Sequence, residues 1–334
     1  MNYMVLIYGA ISFLATLFVT PWLIRYLRKI GINVKDQNKE NKPLIPISGG
    51  LAVLFGVMAG LLVFIFYRTF FARGNLGLML NDKNLMLIFA AIVSLLIITL
   101  VGFLDDLLID KNKESSAGLK QWQKPLLTLT AAIPLMAINA GTREVALPFF
   151  GTVNLGIVYP LILIPIGVVG ASNMVNMLGG FNGLEAGMGI IYTGMLGLYT
   201  YVHGRYIAAL IALVVFSALI AFYFFNKYPA KILAGDSLTY LLGGVIAIIA
   251  ILGNIERAAL IVSIPFFIEF VLKTRAKFNA KSYGYYQNGK IKSYYEKIYS
   301  LPHIFTRKGK YSEKQIAYFL ILFELICSSL IWLV

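Results

Sequence analysis

Three polar stretches interrupt an otherwise apolar chain, and each could handle phosphate or a hard metal ion. In GFLDD, Asp105 and Asp106 stand side by side where a membrane-length apolar run stops. Carboxylates are disfavoured at a helix C-terminus. A pair there needs a cation, a metal or hydrogen-bond donors. Lys111, Lys113, Lys120 and Lys124 follow closely. Such a pair can hold Mg²⁺, directly or through water, or accept a proton. The second stretch, SNMVNMLGGFNGLEAG, sets Asn173, Asn176 and Asn182 among Gly179, Gly180 and Gly183. Amides so dense beside apolar segments must find partners, and glycine lets the backbone approach a ligand. Asparagine can read a base edge or ligate a hard cation through oxygen. Asn182–Gly183 is also ordinary turn chemistry. The third stretch is AGDS, Ala234 to Ser237. Asp236 suits an N-cap, and a helix N-terminus carrying a carboxylate can hold metal and phosphate together.

Two further loops are candidates. DQNKENKPLIPISGG, Asp36 to Gly50, offers a small-residue floor for a nucleotide, or serves only as a Pro/Gly-rich connection. Lys273 to Lys310 carries 10 basic residues and six tyrosines. That mixture can bind nucleic acid, but apolar segments tether both ends of the loop. Interfacial tyrosines and attraction to anionic lipid explain it better. Arg275 is its best phosphate or sugar candidate. His203 and His303 are predicted on opposite faces, so no histidine cluster forms. The single Cys327 excludes an intrachain disulfide and a CxxC zinc site.

The elements that must position these residues are membrane helices. The chain has 334 residues, 59% hydrophobic and 13% charged, with a net charge of +14. A soluble chain runs near 45–50% apolar and about 25% charged. Ten apolar segments approach the roughly 20 residues of a spanning helix: 4–26, 47–67, 85–104, 125–140, 156–172, 186–202, 206–225, 238–253, 258–272 and 316–334. The first lacks a basic leader and is too long for a signal peptide, so it reads as a retained helix. The fold class is therefore all-α. It is one polytopic membrane domain over residues 1–334 with about ten transmembrane helices. Odd-numbered loops carry 23 of the 29 lysines and arginines, which predicts cytoplasmic odd loops and both termini extracytoplasmic. The polar stretches then share one face, on loops 27–46, 105–124, 173–185, 226–237 and 273–315.

GFLDD, NMVNMLGGFNGLEAG and AGDSLTY, in this order, resemble the polyprenyl-phosphate N-acetylhexosamine-1-phosphate transferases. The likeness is nearest to the dolichyl-phosphate N-acetylglucosamine-phosphotransferase branch of eukaryotes and archaea. It spans essentially the whole chain, including the DQNK loop and the KPLL run at Lys124. The resemblance implies Mg²⁺-dependent transfer of a sugar-1-phosphate from a UDP-sugar to a membrane polyprenyl phosphate, with release of UMP; Mn²⁺ is the alternative metal. It implies Asn176 and Asp236 as metal ligands, Asp105 and Asp106 on the lipid-phosphate side, and Lys124 on phosphate. Asn182, with the backbone of Gln37 and Gly180, would read uracil. Asn173 joins the substrate side, and Arg275, Lys273 and Lys277 would contact sugar or phosphates. The implied partners are a UDP-N-acetylhexosamine, a polyprenyl or dolichyl phosphate and the bilayer, with no nucleic acid; a homodimer stays open. The implied location is a prokaryotic cell membrane, or the endoplasmic reticulum in a eukaryote.

The chain departs from the family pattern at three places. Asp110 is one position out of register, with Ile109 where a third polar residue is usual. The link from Asp110 to Lys124 is extended, and Leu233 replaces an aromatic that stacks on uracil. The bacterial histidine-rich signature is absent as well. Direct single displacement is the preferred course, and a covalent aspartyl intermediate is its rival. A transporter or flippase is the rival class. It would favour ionisable groups at mid-membrane, where only Glu269 and Glu324 qualify.

Overall fold

The computed structural model describes residues 4–71, 82–110, 115–116, 118–147 and 151–333. Lys111 and Lys113 fall outside these ranges, and of Asp110 only the backbone is described. Three long helices open the chain: α1 (Met4–Ile30), α2 (Gly50–Phe70) and α3 (Asp82–Leu107). The next apolar segment is broken into α4 (Gln123–Leu129), a single 3-10 turn and α5 (Ile133–Ala137). Pro134 removes a backbone donor there, which suits a helix start and not an interior. Then come α6 (Ile164–Met177), α7 (Leu184–Val202), α8 (Tyr206–Asn226) and α9 (Gly235–Gly253). The ninth predicted segment is also broken, into α10 (Glu256–Val262) and α11 (Ile264–Arg275), with Pro265 at the restart. The short α12 (His303–Thr306) precedes α13 (Glu313–Ser329), which opens on a Ser312/Gln315 capping box.

All ten predicted apolar segments are helical. Among the described residues, seven helices are long and apolar enough to cross a membrane. The all-helical expectation needs an amendment. Four two-stranded hairpins punctuate the described loops: β1 (Asn33–Lys35) with β2 (Leu44–Pro46), β3 (Ile109–Asp110) with β4 (Ser115–Ser116), β5 (Glu144–Leu147) with β6 (Gly151–Asn154), and β7 (Tyr285–Gln287) with β8 (Lys290–Lys292). Strands of two to four residues are too short to leave a readable alternation.

Helix α9 is the centre of the bundle. It is apolar all round and nearly every residue is buried, as expected of a helix enclosed on all sides. It packs on α2, α3, α6, α7 and α8. Glycines allow the closest approaches. A Cβ on Gly102 of α3 would sit 2.3 Å from the Asp236 carbonyl oxygen, and one on Gly243 of α9 would sit 2.4 Å from the Ala171 carbonyl oxygen of α6. The outer helices instead expose apolar side chains, such as Leu14, Phe18 and Trp22 on α1 and Phe89, Val93, Leu100 and Leu104 on α3. This is the surface a bilayer covers. The glycine contact between α3 and α9 brings the GFLDD and AGDS stretches into register.

Candidate active site

A cavity of about 830 Å³ opens where α6, α9 and α4 end or begin. Asp236, Asn176, Asn173, Lys124, Gln37, Gly180, Asn182 and Lys273 all line it. These residues come from positions up to 236 apart in the chain, and the bundle gathers them at one end.

Lys124 organises the floor. Its ammonium lies 2.7 Å from Asp105 Oδ2 and 3.3 Å from Asp236 Oδ2. Burial disfavours its charge, but Asp236 and Asp105 outweigh that and hold the ammonium above the ordinary lysine range. Asp105 is fully buried. It also accepts the Leu119 N–H at 2.5 Å and the Tyr240 hydroxyl at 3.1 Å. Asp236 is the carboxylate that opens to the cavity, with a side chain 27% exposed. Asn176 Oδ1 accepts the Thr239 hydroxyl at 2.6 Å, which orients the amide one helical turn along α9 from Asp236. Asn173 Nδ2 donates to Thr128 Oγ1 at 3.0 Å and to the Val169 carbonyl at 2.8 Å. It thereby ties α6 to the helix that carries Lys124.

Asp106, like Asp105, was expected on the lipid-phosphate side, and both are buried outside the cavity lining. Asp106 is buried beneath the cavity, where Oδ1 accepts the Asp236 N–H at 2.7 Å and Oδ2 the Ser237 N–H at 3.1 Å. One carboxylate from α3 thus caps the N-terminus of α9, satisfying donors that the helix leaves open and interacting favourably with its dipole. Gly235 adopts φ +72 just before, and a Cβ there would lie 2.5 Å from Asp106 Oδ2. This resolves the paired aspartates: each has its own compensation, Lys124 for Asp105 and a helix N-terminus for Asp106. Asp106→Ala is therefore expected to cost about 2 kcal/mol or more of stability, through lost capping and two orphaned donors. Asp106→Asn keeps an acceptor and should cost less. Melting curves in detergent measure both.

Other predicted residues are spoken for by the protein itself. The Gly180 N–H donates to Glu185 Oε1 at 2.8 Å, and its carbonyl accepts Asn38 Nδ2 at 2.5 Å. Lys273 is buried and donates to the Ala280 carbonyl at 2.6 Å and to Ser282 Oγ at 2.7 Å. Burial lowers its pKa, although Glu269 opposes the shift. Glu269, one of two acids inside apolar runs, accepts from Ser300 and the Leu301 N–H, so it pins the long loop. Arg275 and Lys277 are exposed at the end of α11, outside the cavity lining. His303 accepts the Tyr299 N–H and faces the Lys281 carbonyl. Among the described residues no three His, Cys, Asp or Glu side chains gather as a ready metal cage.

Sequence reasoning missed Tyr240, Thr239, Lys39 and Glu313. The first two stand inside AGDSLTY, so the motif held the signal. Lys39 and Glu313 lie 274 residues apart and form an ion pair that leaves no local trace.

The sequence profile of glycosyl transferase family 4 matches residues 88–254, half the chain and the part that holds Asp105, Lys124, Asn176 and Asp236. The chain belongs to glycosyl transferase family 4. Its relatives agree over a longer span. A Saccharolobus solfataricus protein, provisionally named a UDP-N-acetylglucosamine–dolichyl-phosphate N-acetylglucosaminephosphotransferase, is 36% identical over 92% of this chain and 89% of its own. A Sulfolobus acidocaldarius protein of the same provisional name is 33% identical over 92% and 88%. The phospho-N-acetylmuramoyl-pentapeptide-transferase of Lactiplantibacillus plantarum is 31% identical over 79% and 81%. As a glycosyl transferase family 4 member, the chain carries Lys39, Lys273 and Glu313 outside the profile match.

Proposed function

We propose that the chain transfers N-acetylglucosamine-1-phosphate, or a related N-acetylhexosamine-1-phosphate, from a UDP-sugar to a membrane polyprenyl phosphate, releasing UMP. The observation that carries this reading is the cavity itself. Its floor is Lys124, Asp236 and Asn176, and its wall includes Val169, Met174, Phe270 and Phe278. A polar floor takes phosphates, and an apolar wall beside the bilayer takes a lipid. The archaeal relatives' names supply the same pair of substrates.

The donor set fits Mg²⁺. Asp236 and Asn176 offer hard oxygens to the cavity, and Mg²⁺ usually completes its shell with phosphates and waters. Charge supports the fit as well. Asp105 and Asp236 share one lysine, and a dication beside Asp236 would balance the excess. Bound there, the ion would neutralise charge on the UDP-sugar's diphosphate and on the UMP that leaves. The protein's own part is positioning: two anions must meet, and fixed charge rather than a strong base should govern the rate. Lys124 would draw a phosphate to the floor. Asp105 would keep Lys124 in place, and Asp106 would hold Asp236 on that floor. The acceptor phosphate is already a nucleophile with a second pKa near ~6, so a direct displacement suffices. Ten spans with both termini outside would put this face in the cytoplasm, beside the nucleotide sugar, in a cell membrane like that of the archaeal relatives.

The test is purified protein with Mg²⁺, a polyprenyl phosphate and a set of UDP-sugars. UMP should appear with at least one N-acetylhexosamine donor and only when the lipid is present. Silence across the set would sink the proposal.

A further inference from the structure

A second buried polar cluster adjoins the cavity where Gln37, Gly180 and Asn182 line it. Lys39 lies in the loop between β1 and β2. Its ammonium is 3.3 Å from Asp36 Oδ2, pairs with Glu313 Oε2 of α13 and donates to Asn182 Oδ1 at 3.2 Å. It also rests 4.2 Å from the centre of the Tyr228 ring. Asn182 is the hub. Its Oδ1 also accepts the Ala230 N–H at 2.8 Å, its Nδ2 donates to Asp36 Oδ2 at 3.1 Å, and its backbone N–H donates to Glu313 Oε1 at 2.8 Å. Asp36, Asn182 and Glu313 are all buried.

An asparagine amide is ordinarily two-faced, because oxygen and nitrogen can exchange places to suit a ligand. Here they cannot. Two donors fill both lone pairs of Oδ1, and a carboxylate, which accepts only, holds one hydrogen of Nδ2. One N–H is left, on a side chain that lines the cavity. We propose that Asp36 and Lys39 are positioning residues that fix Asn182 as a hydrogen-bond donor, so that the cavity selects a base edge bearing a carbonyl over one bearing an amine. Glu313 anchors Lys39 from the last helix. The inference rests on the transfer reaction proposed above, whose UDP-sugar must seat its base in this cavity, and adds the device that gives it a base preference. For pyrimidine diphosphates the outcome is UDP over CDP.

Calorimetric titration of the full-length protein with UDP and with CDP, in Mg²⁺, tests this. The wild type should favour UDP by about tenfold or more, since a misplaced amine leaves a buried donor unmatched. Asn182→Asp alone sets two carboxylates face to face and should lower the melting temperature. Adding Asp36→Asn reverses the hydrogen bond, keeps the net charge and leaves Lys39 its partner. The exchange variant should recover the melting temperature, and its free group becomes an acceptor, so the preference should fall or turn towards CDP. A purely structural cluster would recover stability and leave the ratio unmoved, which overturns the inference. If the exchange variant does not fold, Asn182→Ala reads the same quantity: a ratio near one supports the inference and an unchanged ratio overturns it. Wild-type protein that binds both nucleotides equally overturns the inference and leaves the transfer reaction standing. Wild-type protein that binds neither overturns both.

Discussion

Asp236→Asn is expected to cut UMP release by about a thousandfold while leaving the protein folded and no less stable. The two halves have separate causes. Asp236 is the carboxylate that opens to the cavity, and losing one preorganised charge at a reacting phosphate costs about 10²–10³ in rate. Stability should move the other way. Asp105 and Asp236 both crowd one ammonium, at 2.7 and 3.3 Å, and the amide removes a like-charge neighbour of Asp105. The backbone N–H of residue 236 still reaches Asp106, because that bond does not involve the side chain. UMP release and a melting curve on the same preparation check both halves. Activity within tenfold of wild type would remove Asp236 from the reaction.

Lys124→Met should fail on both counts. Asp105 is completely buried, and Lys124 is its cationic partner. Removing one member of a buried pair costs roughly 3–5 kcal/mol, an appreciable part of a membrane bundle's stability. Transfer should fall about 10²–10³-fold as well, because the floor loses its fixed positive charge. The double variant Lys124→Met with Asp105→Asn separates the effects. It removes the stranded charge, so the melting temperature should return most of the way, while activity stays lost. If activity returned with stability, Lys124 would be a structural counter-ion and no more.

The contrast between these two residues reflects what the sequence carried. Asp236, Asn176, Asp105 and Lys124 were legible because each stands at the end of an apolar run, where a charge has few reasons to be. The apolar segments themselves were legible as helices, and seven of the described helices are long and apolar enough to cross a membrane. Their continuity was not: Pro134 and Pro265 restart helices in the middle of two segments, and hydropathy does not register a missing N–H. The division of labour between Asp105 and Asp106 was also hidden. Adjacent residues on a helix point about 100° apart, so one reaches Lys124 and the other the N-terminus of α9, and only the packing of α3 on α9 decides which. Asn182 read as turn chemistry or as a reader of the base. Its partners Asp36, Lys39, Ala230 and Glu313 arrive from three distant segments, and nothing local announces them. Arg275 and Lys277 looked convergent because they end an apolar run, yet the chain turns there and leaves them exposed.

The most direct measurement of the central claim follows the β-phosphorus of the donor. UDP-N-acetylglucosamine labelled with ³²P at the β-phosphate is incubated with the protein, Mg²⁺ and a polyprenyl phosphate, and the lipid, aqueous and protein fractions are counted. Transfer of sugar and phosphate together predicts label in the lipid fraction, one equivalent per UMP released. Label left in the aqueous fraction as UDP, with sugar alone on the lipid, would contradict it.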